Sequence, residues 1–211
     1  MTLLRILLVV PLLALAACAT PVGARTAEAV AIVRGFQASD HPIPAAVFEN
    51  AQGVAILREG SGALLIGGSG GEGVFLKRTQ TGWSAPVAIN TAGATIGLQA
   101  GYQTRDIVLI MNTTDEVTRF LDDGLYGVAE ASAVAGPATT DPNNAGGPGP
   151  ATYYYLRKEG IFGGLLVGGV TFMTADKVNR ELYGPDVTAQ DIVGGNVKPP
   201  AGTTILWQAL N

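Results

Sequence analysis

Between residues 24 and 37, apolar side chains recur at helical spacing: Ala27, Val30, Ala31, Val33 and Phe36 fall among Arg25, Glu28 and Arg34. That period predicts a helix, ended by Ser39-Asp40-His41-Pro42. Ile43-Pro44 then opens a second short helix over residues 45–51, stopped at Gly53. Beyond Gly53 the period changes. Residues 54–57, 63–66, 74–78, 83–89, 94–102 and 106–111 are apolar runs of strand length. Gly-, Ser-, Asn- and Thr-rich stretches separate them, the spacing of an antiparallel sheet or barrel.

Thr114 is a plausible N-cap for a helix over residues 115–121. Another strand is expected over 127–135, then a mobile loop over 136–150, where Pro, Gly, Asn and Thr dominate. Residues 153–158 and 161–171 read as a hairpin turning at Glu159-Gly160, with 161–170 a buried strand rather than an inserting loop. Alternation in that hairpin sends Tyr154 to the opposite face from Tyr153 and Tyr155. Short helices over 176–183 and 188–193 and a terminal strand over 203–210 complete the pattern. The expected fold class is α+β: a single domain over residues 24–211, dominated by antiparallel β-sheet or barrel-like β-structure with short flanking helices.

The first 17 residues do not fit that domain. They hold one cation, Arg5, an apolar run over 6–15 and the small residues Ala16 and Ala17. The run is shorter than the ~20 apolar residues a spanning helix needs, so it reads as a signal-peptide core. Leu15-Ala16-Ala17-Cys18 resembles the bacterial lipoprotein signal, in which the cysteine is acylated and becomes the mature N-terminus. Cys18 is the only cysteine, so its position has no disulfide explanation; an ordinary cleaved signal with a chance cysteine is the alternative. In that sorting pattern an Asp after the cysteine retains the protein at the inner membrane. Ala19 stands there instead, which points to the periplasmic face of the outer membrane. A multi-chain lipid anchor on Cys18 makes attachment effectively permanent, with residues 18–23 as a tether.

Charge narrows the partners. The chain has 13 basic and 17 acidic residues. Arg5 leaves with the signal, so the mature chain carries 12 against 17 and a net charge of −5. An acidic domain argues against nucleic acid, whose affinity comes largely from phosphate neutralisation. Only 14% of residues are charged, against ~25% in ordinary soluble domains. The 29 glycines imply tight turns and close backbone approaches.

Catalytic motifs fail on inspection. Gly67-Gly68-Ser69-Gly70-Gly71 matches a nucleophile elbow in form, but a strand follows it and the only histidine, His41, precedes it. Residues 68–73 match a dinucleotide-binding glycine pattern without the helix or the acidic residue that would complete it. A glycine-rich hairpin turn is the plainer reading of both. No catalytic residue, metal site or cofactor is implied; with one His and one Cys no metal cluster of those ligands can form.

An ordered series of motifs carries a family resemblance across residues 42–210. It runs through Ile43-Pro44, Ala51-Gln52-Gly53-Val54-Ala55-Ile56, Gly67-Gly68 to Gly73-Val74 and Gly82-Trp83-Ser84-Ala85-Pro86. Gly97-Leu98-Gln99-Ala100-Gly101, Asp106-Ile107-Val108, Ala135-Gly136-Pro137, Tyr155, Gly160 to Gly164 and Asn179 to Gly184 follow. The series resembles the SYLF domain, found in SH3-containing eukaryotic proteins and in many bacterial lipoproteins. The resemblance implies non-catalytic binding of membrane lipid, phosphoinositides in eukaryotic members, with some fungal members also binding actin. It associates the lipid site with an N-terminal amphipathic helix, whose place residues 24–37 occupy.

The expected partner is membrane phospholipid, in addition to the covalent anchor on Cys18. A structural envelope lipoprotein with a protein partner is the alternative. Candidate headgroup contacts are Arg25 and Arg34 on the first helix and the adjacent basic pairs Lys77-Arg78 and Arg157-Lys158. Tyr154 is a candidate interfacial aromatic. Trp83 and Pro86 are read as packed under the sheet, with lipid contact as the alternative.

Overall fold

The first apolar stripe forms α1 (Val22–Gln37), which starts at Val22, inside the expected tether, immediately after Pro21. Ala29, Val30, Ile32, Val33 and Phe36 bury its stripe. Ile43 is buried in the connection to α2 (Ala45–Asn50), which follows Pro44. The computed structural model describes residues 19–122, 125–129, 134–135, 152–164 and 167–211. Cys18, the expected signal and the expected loop over 136–150 lie outside these residues.

Most of the short strands expected in the centre are arms of two long ones. β1 (Gly53–Thr79) absorbs the runs over 54–57, 63–66 and 74–78, and β3 (Val87–Met111) absorbs those over 94–102 and 106–111. The run over 83–89 divides between the short β2 (Gly82–Trp83) and the start of β3. β1 and β3 pair antiparallel from Gly53↔Met111 to Phe75↔Val87, with a register shift between Leu64 and Ile66.

The glycine run is therefore not a hairpin turn. Residues 67–73 are strand, paired with residues 89–95 of β3. Their glycines serve a close approach of β1 to itself. A β-carbon at Gly71 would lie 2.6 Å from the Arg58 carbonyl oxygen, and one at Gly73 would lie 2.6 Å from the Leu57 Cα. At the other end of the fold-back the Arg78 N–H donates to the Gln52 carbonyl at 2.8 Å. The second arm of β1 thus lies back against the first, and a side chain at either glycine would hold the arms apart.

The remaining elements are α3 (Thr114–Asp122), β4 (Leu125–Ala129), β5 (Val134–Ala135), β6 (Thr152–Gly164) and β7 (Val167–Thr174). α4 (Asp176–Tyr183), α5 (Ala189–Val193) and α6 (Thr203–Ala209) follow. The seven strands form one sheet with the path β2-β1-β3-β6-β5, β7 adding to β3 and β4 to β7. All described pairings are antiparallel except the short β5–β6 contact. Among the described residues the path is open, a sheet rather than a closed barrel. β6 runs straight through Glu159-Gly160, where a turn was expected, because both residues are paired to β3 (Thr104↔Glu159 and Gln103↔Gly160).

The expected terminal strand is a helix. Gly202, at φ 88°, turns the chain into α6, and Leu206 and Leu210, four residues apart, bury one side of it. The Trp207 indole N–H donates to the Ser84 carbonyl at 2.9 Å.

Alternation splits the core between the two faces of the sheet. Val54, Ile56, Val74, Leu76, Val108 and Ile110 meet α1, α2 and α6 on one face. Ala55, Leu57, Phe75, Val87, Ile89, Ile107 and Leu109 meet α3 and α5 on the other. Tyr155 joins the first core, with Tyr153 packed against it, and Tyr154 packs against the second. The expected alternation of the three tyrosines holds. No helix among the described residues is long and apolar enough to cross a membrane.

Candidate lipid-facing site

Arg25 lies one turn into α1, and its side chain turns inward. It is 1% exposed. Its Nη1 donates to the Ile89 carbonyl at 2.6 Å and to Asn90 Oδ1 at 2.8 Å, and its Nε donates to the Thr20 carbonyl at 2.7 Å. Nη2 pairs with Glu72 at 3.2 Å. Burial lowers its pKa, against the opposing pull of Glu72. A buried guanidinium is stable only when its donors are matched, and here the matches tie the start of α1 to β3 and the second arm of β1. Arg25 is a clamp, withdrawn from any headgroup.

Arg78, the predicted partner of Lys77, is also tied to the protein. Its Nη2 donates to the Phe48 carbonyl at 2.5 Å and its Nε to the Ala51 carbonyl at 3.3 Å. These are carbonyls at the C-terminal end of α2, where a cation complements the helix dipole. The guanidinium carbon sits 3.8 Å from the centroid of the Trp83 ring, a cation–π contact over an indole that is 5% exposed. Trp83 and Pro86 are both buried, as packing residues should be. Lys77, half-buried beside it, is fixed through its backbone, whose N–H donates to Ser84 Oγ at 3.0 Å.

Arg157 belongs to a charged row that sequence reading did not find. Arg58, Asp106 and Arg157 are successive partners across β1, β3 and β6. Arg58 Nε donates to Asp106 Oδ1 at 2.7 Å and Nη2 to Oδ2 at 3.2 Å, while Arg157 Nη2 donates to Oδ2 at 2.5 Å. Glu28 of α1 accepts from Arg58 at 3.1 Å. Burial alone would push the Asp106 carboxyl up; hydrogen bonds and charge from the two arginines outweigh it and hold it below the usual carboxylate range. Arg157 also lies under the end of α1. A β-carbon at Gly35 would meet its guanidinium, with Cζ at 2.7 Å, and Cζ is 5.7 Å from the Phe36 ring centroid. On the opposite face of the same strands Arg105 pairs with Glu59, and the Thr91 hydroxyl donates to Glu59 at 3.3 Å. The signal for both rows was present in the sequence: charged residues inside otherwise apolar strand runs.

The predicted cations therefore do not form one cluster. Arg25, Arg78 and Arg157 hold α1 and α2 onto the sheet. Arg34 is exposed in the last turn of α1. Lys158 stands opposite Arg105 in the β6–β3 register, next to the charged row. Tyr154 is half-buried against the second core rather than at the surface. Among the described residues, no group of three His, Cys, Asp or Glu side chains is placed to hold a metal ion.

Residues 92–211 match the family described as Ysc84, Las17-binding protein actin regulator. The chain is 34% identical over 178 residues to LAS seventeen-binding protein 3 of Saccharomyces cerevisiae, covering 82% of this chain and 39% of that protein. It is 33% identical over 176 residues to SH3 domain-containing YSC84-like protein 1 of Rattus norvegicus, covering 82% and 52%. It is 33% identical over 175 residues to an SH3 domain-containing protein of Schizosaccharomyces pombe, covering 80% and 41%. The chain thus spans about half or less of the length of these relatives. No solved structure matches it. Together, the match over more than half of the chain and the ordered motifs place this chain in the Ysc84/SYLF family, a family of binding and regulatory domains.

Proposed function

We propose that this chain is a lipoprotein, acylated at Cys18 and held at the periplasmic face of a bacterial outer membrane, whose Ysc84/SYLF domain binds phospholipid without catalysis. The observation that carries this reading is the distance between the anchor and the fold. α1 begins at Val22, four residues after Cys18, and Arg25 clamps its first turn to the sheet. An acyl chain on Cys18 would hold the domain directly against the bilayer. Headgroup contact then falls to Arg34 and Lys158, with Arg25, Arg78 and Arg157 fixing the helices around them. The net charge of −5 makes this a local contact rather than general attraction to anionic lipid.

The test is expression of the full chain and of Cys18→Ala in a diderm bacterium, followed by membrane fractionation and intact mass. The native chain should carry the acyl mass increment and fractionate with the outer membrane, and Cys18→Ala should lose both. Association of the chain lacking residues 1–18 with phospholipid vesicles should weaken as salt rises, because exposed charge contacts are screened over ~10 Å at 0.1 M. An unmodified Cys18 would sink the anchoring reading. The relatives' names favour one second reading, a domain that binds a protein partner. An acylated chain whose domain never contacts phospholipid would promote that reading.

A further inference from the structure

Toward one end of the sheet the charges of the described strands stop, just past one level. Arg58, Asp106 and Arg157 mark that level across β1, β3 and β6. Glu72 and Asn90, partners across the second arm of β1 and the first part of β3, mark it on the other side of the fold-back. The two sides adjoin, because Gly71 lies against the Arg58 backbone. Past it, the last charges are Glu59, Arg105, Lys158 and Glu159; residues 60–71, 91–104 and 160–175 contain no Asp, Glu, Lys or Arg.

The register gathers the middle of these stretches at one end of the sheet, while 171–175 run back to the charged level, with Met173 opposite Asn90. Gly101 of β3 is the partner of both Ala63 of β1 and Phe162 of β6, and Ile96 is the partner of both Ile66 and Val167 of β7. Leu64, Leu65, Ile96, Leu98, Ile161 and Phe162 are thereby placed in one β-structured tip. Tyr102, 64% exposed, stands three residues beyond Arg105, at the base of the tip, where an aromatic ring suits a membrane–water interface.

We propose that this tip inserts into the hydrocarbon of the bilayer leaflet to which the domain is anchored. The inference rests on the anchoring reading above and adds the part of the domain that enters lipid. Two further observations select a bilayer as the occupant. The first is depth. From Gly60 to Leu65 the strand advances about 17 Å at ~3.3 Å per residue, close to the ~15 Å of hydrocarbon in one leaflet. The second is where the segment leading into α1 is held. Arg25 joins Thr20 to Ile89, Asn90 and Glu72, so Thr20 lies at the charged level, and two residues reach at most ~7 Å from it to Cys18. An anchor on Cys18 would thus lie within reach of the base of the tip. α1 crosses at the charged level too, through Arg25 to Glu72, Glu28 to Arg58 and Gly35 against Arg157. Backbone groups along the tip are engaged in the β1–β3, β3–β6 and β3–β7 ladders, which limits the cost of bringing peptide groups into hydrocarbon.

The experiment uses Leu65→Cys and Leu98→Cys variants of the full chain, purified from bacterial membranes, with Lys77→Cys as the control. Acylation occupies the Cys18 sulfur, so the introduced cysteine is the single free thiol and takes an environment-sensitive fluorophore. Each protein is reconstituted into vesicles of phosphatidylethanolamine and phosphatidylglycerol containing a nitroxide quencher in the acyl chains. The expected result is a blue shift and quenching at positions 65 and 98 and neither at 77, with thermal melting unchanged in at least one tip variant. Vesicle-bound, acylated protein with unquenched labels at both tip positions overturns the proposal and leaves the anchoring reading intact. Tip labels shielded from lipid, together with a doubled molecular mass in detergent, overturn it in favour of a second copy of the chain. A mass showing Cys18 unmodified removes the anchoring reading and the proposal with it.

Discussion

Asn179 of α4 hydrogen-bonds the backbone of Ala88 on both sides. Its Oδ1 accepts from the Ala88 N–H at 2.7 Å, and its Nδ2 donates to the Ala88 carbonyl at 3.1 Å. One amide side chain thus imitates a neighbouring strand at the start of β3, where it is 2% exposed. The Ala175 N–H donates to the same carbonyl at 2.9 Å, so α4 is docked through main-chain groups rather than through apolar area alone.

Replacing Asn179 by Ala should therefore cost about 2–3 kcal/mol, since a buried N–H loses its only side-chain acceptor and a cavity opens beside it. Asn179→Asp, which retains the acceptor and loses the donor, should lie between native and Ala at neutral pH. Urea unfolding measures both; an Ala variant within ~0.5 kcal/mol of native would mean that α4 docks without this amide.

Gly73→Ala should be among the most damaging single-methyl changes in the chain. The added carbon meets the backbone of Ile56 and Leu57, which cannot rotate away, so a loss of about 3 kcal/mol or failure to fold is expected. Gly62 is the control, because a β-carbon there has nothing within 4 Å. Gly62→Ala should be neutral within ~0.5 kcal/mol. Equal thermal shifts for the two variants would contradict the fold-back of β1.

Arg25 and Arg34 should separate structure from binding. Arg25→Leu removes the clamp on α1 and should lower stability by about 2–3 kcal/mol by leaving strand and turn carbonyls unmatched. Arg34→Ala, at an exposed position, should leave the melting temperature unchanged and, in the chain lacking residues 1–18, weaken vesicle association at low salt. A stability loss for Arg34→Ala as large as that for Arg25→Leu would refute the division of roles.

Asp106 predicts a pH dependence of known sign. Its folded-state pKa is held down by Arg58 and Arg157, so its ionised form stabilises the fold above the unfolded value of ~3.9. That contribution disappears as pH falls through the folded-state value, below ~3.9. Asp106→Asn should therefore be less stable than native at pH 7, and the gap should narrow under acid. Denaturant unfolding at both ends of the range checks it, and a gap that widened on acidification would reverse the assignment.

The helix over 24–37 was legible because Val30, Val33 and Phe36 keep helical spacing and Ser39-Asp40-His41-Pro42 stops it, although Ala27 and Ala31 of the expected stripe are exposed and Ala29 and Ile32 are buried. The α6 segment was not. Thr203, Thr204 and Ile205 are β-branched and suggested a strand, yet the buried positions Thr203, Leu206 and Leu210 keep a three-and-four spacing that belongs to a helix. The glycines between 67 and 73 misled for a different reason: a turn and a close strand crossing call for the same residue, and only tertiary contact separates them. Arg25 shows the corresponding limit for the site. Its identity as a cation was plain, but whether it faces water or Ile89 depends on where α1 lands on the sheet.

The β1–β3 pairing also dictates an order of assembly. Phe75 and Val87 are close along the chain, whereas Gly53 and Met111 stand at opposite ends of the two-strand segment. Each rung closed from the near end shortens the loop that the next must close, so the ladder zips outward from Phe75–Val87. Substitutions at those first rungs should slow refolding, while equally destabilising ones at Gly53–Met111 should chiefly hasten unfolding, a contrast that stopped-flow kinetics can read. β6 closes its shortest loop to β3 at Met111↔Thr152, the end of β3 that the zipping reaches last. The row through Arg58, Asp106 and Arg157 is therefore a late event, and its three charges remain hydrated until most of the apolar sheet already exists.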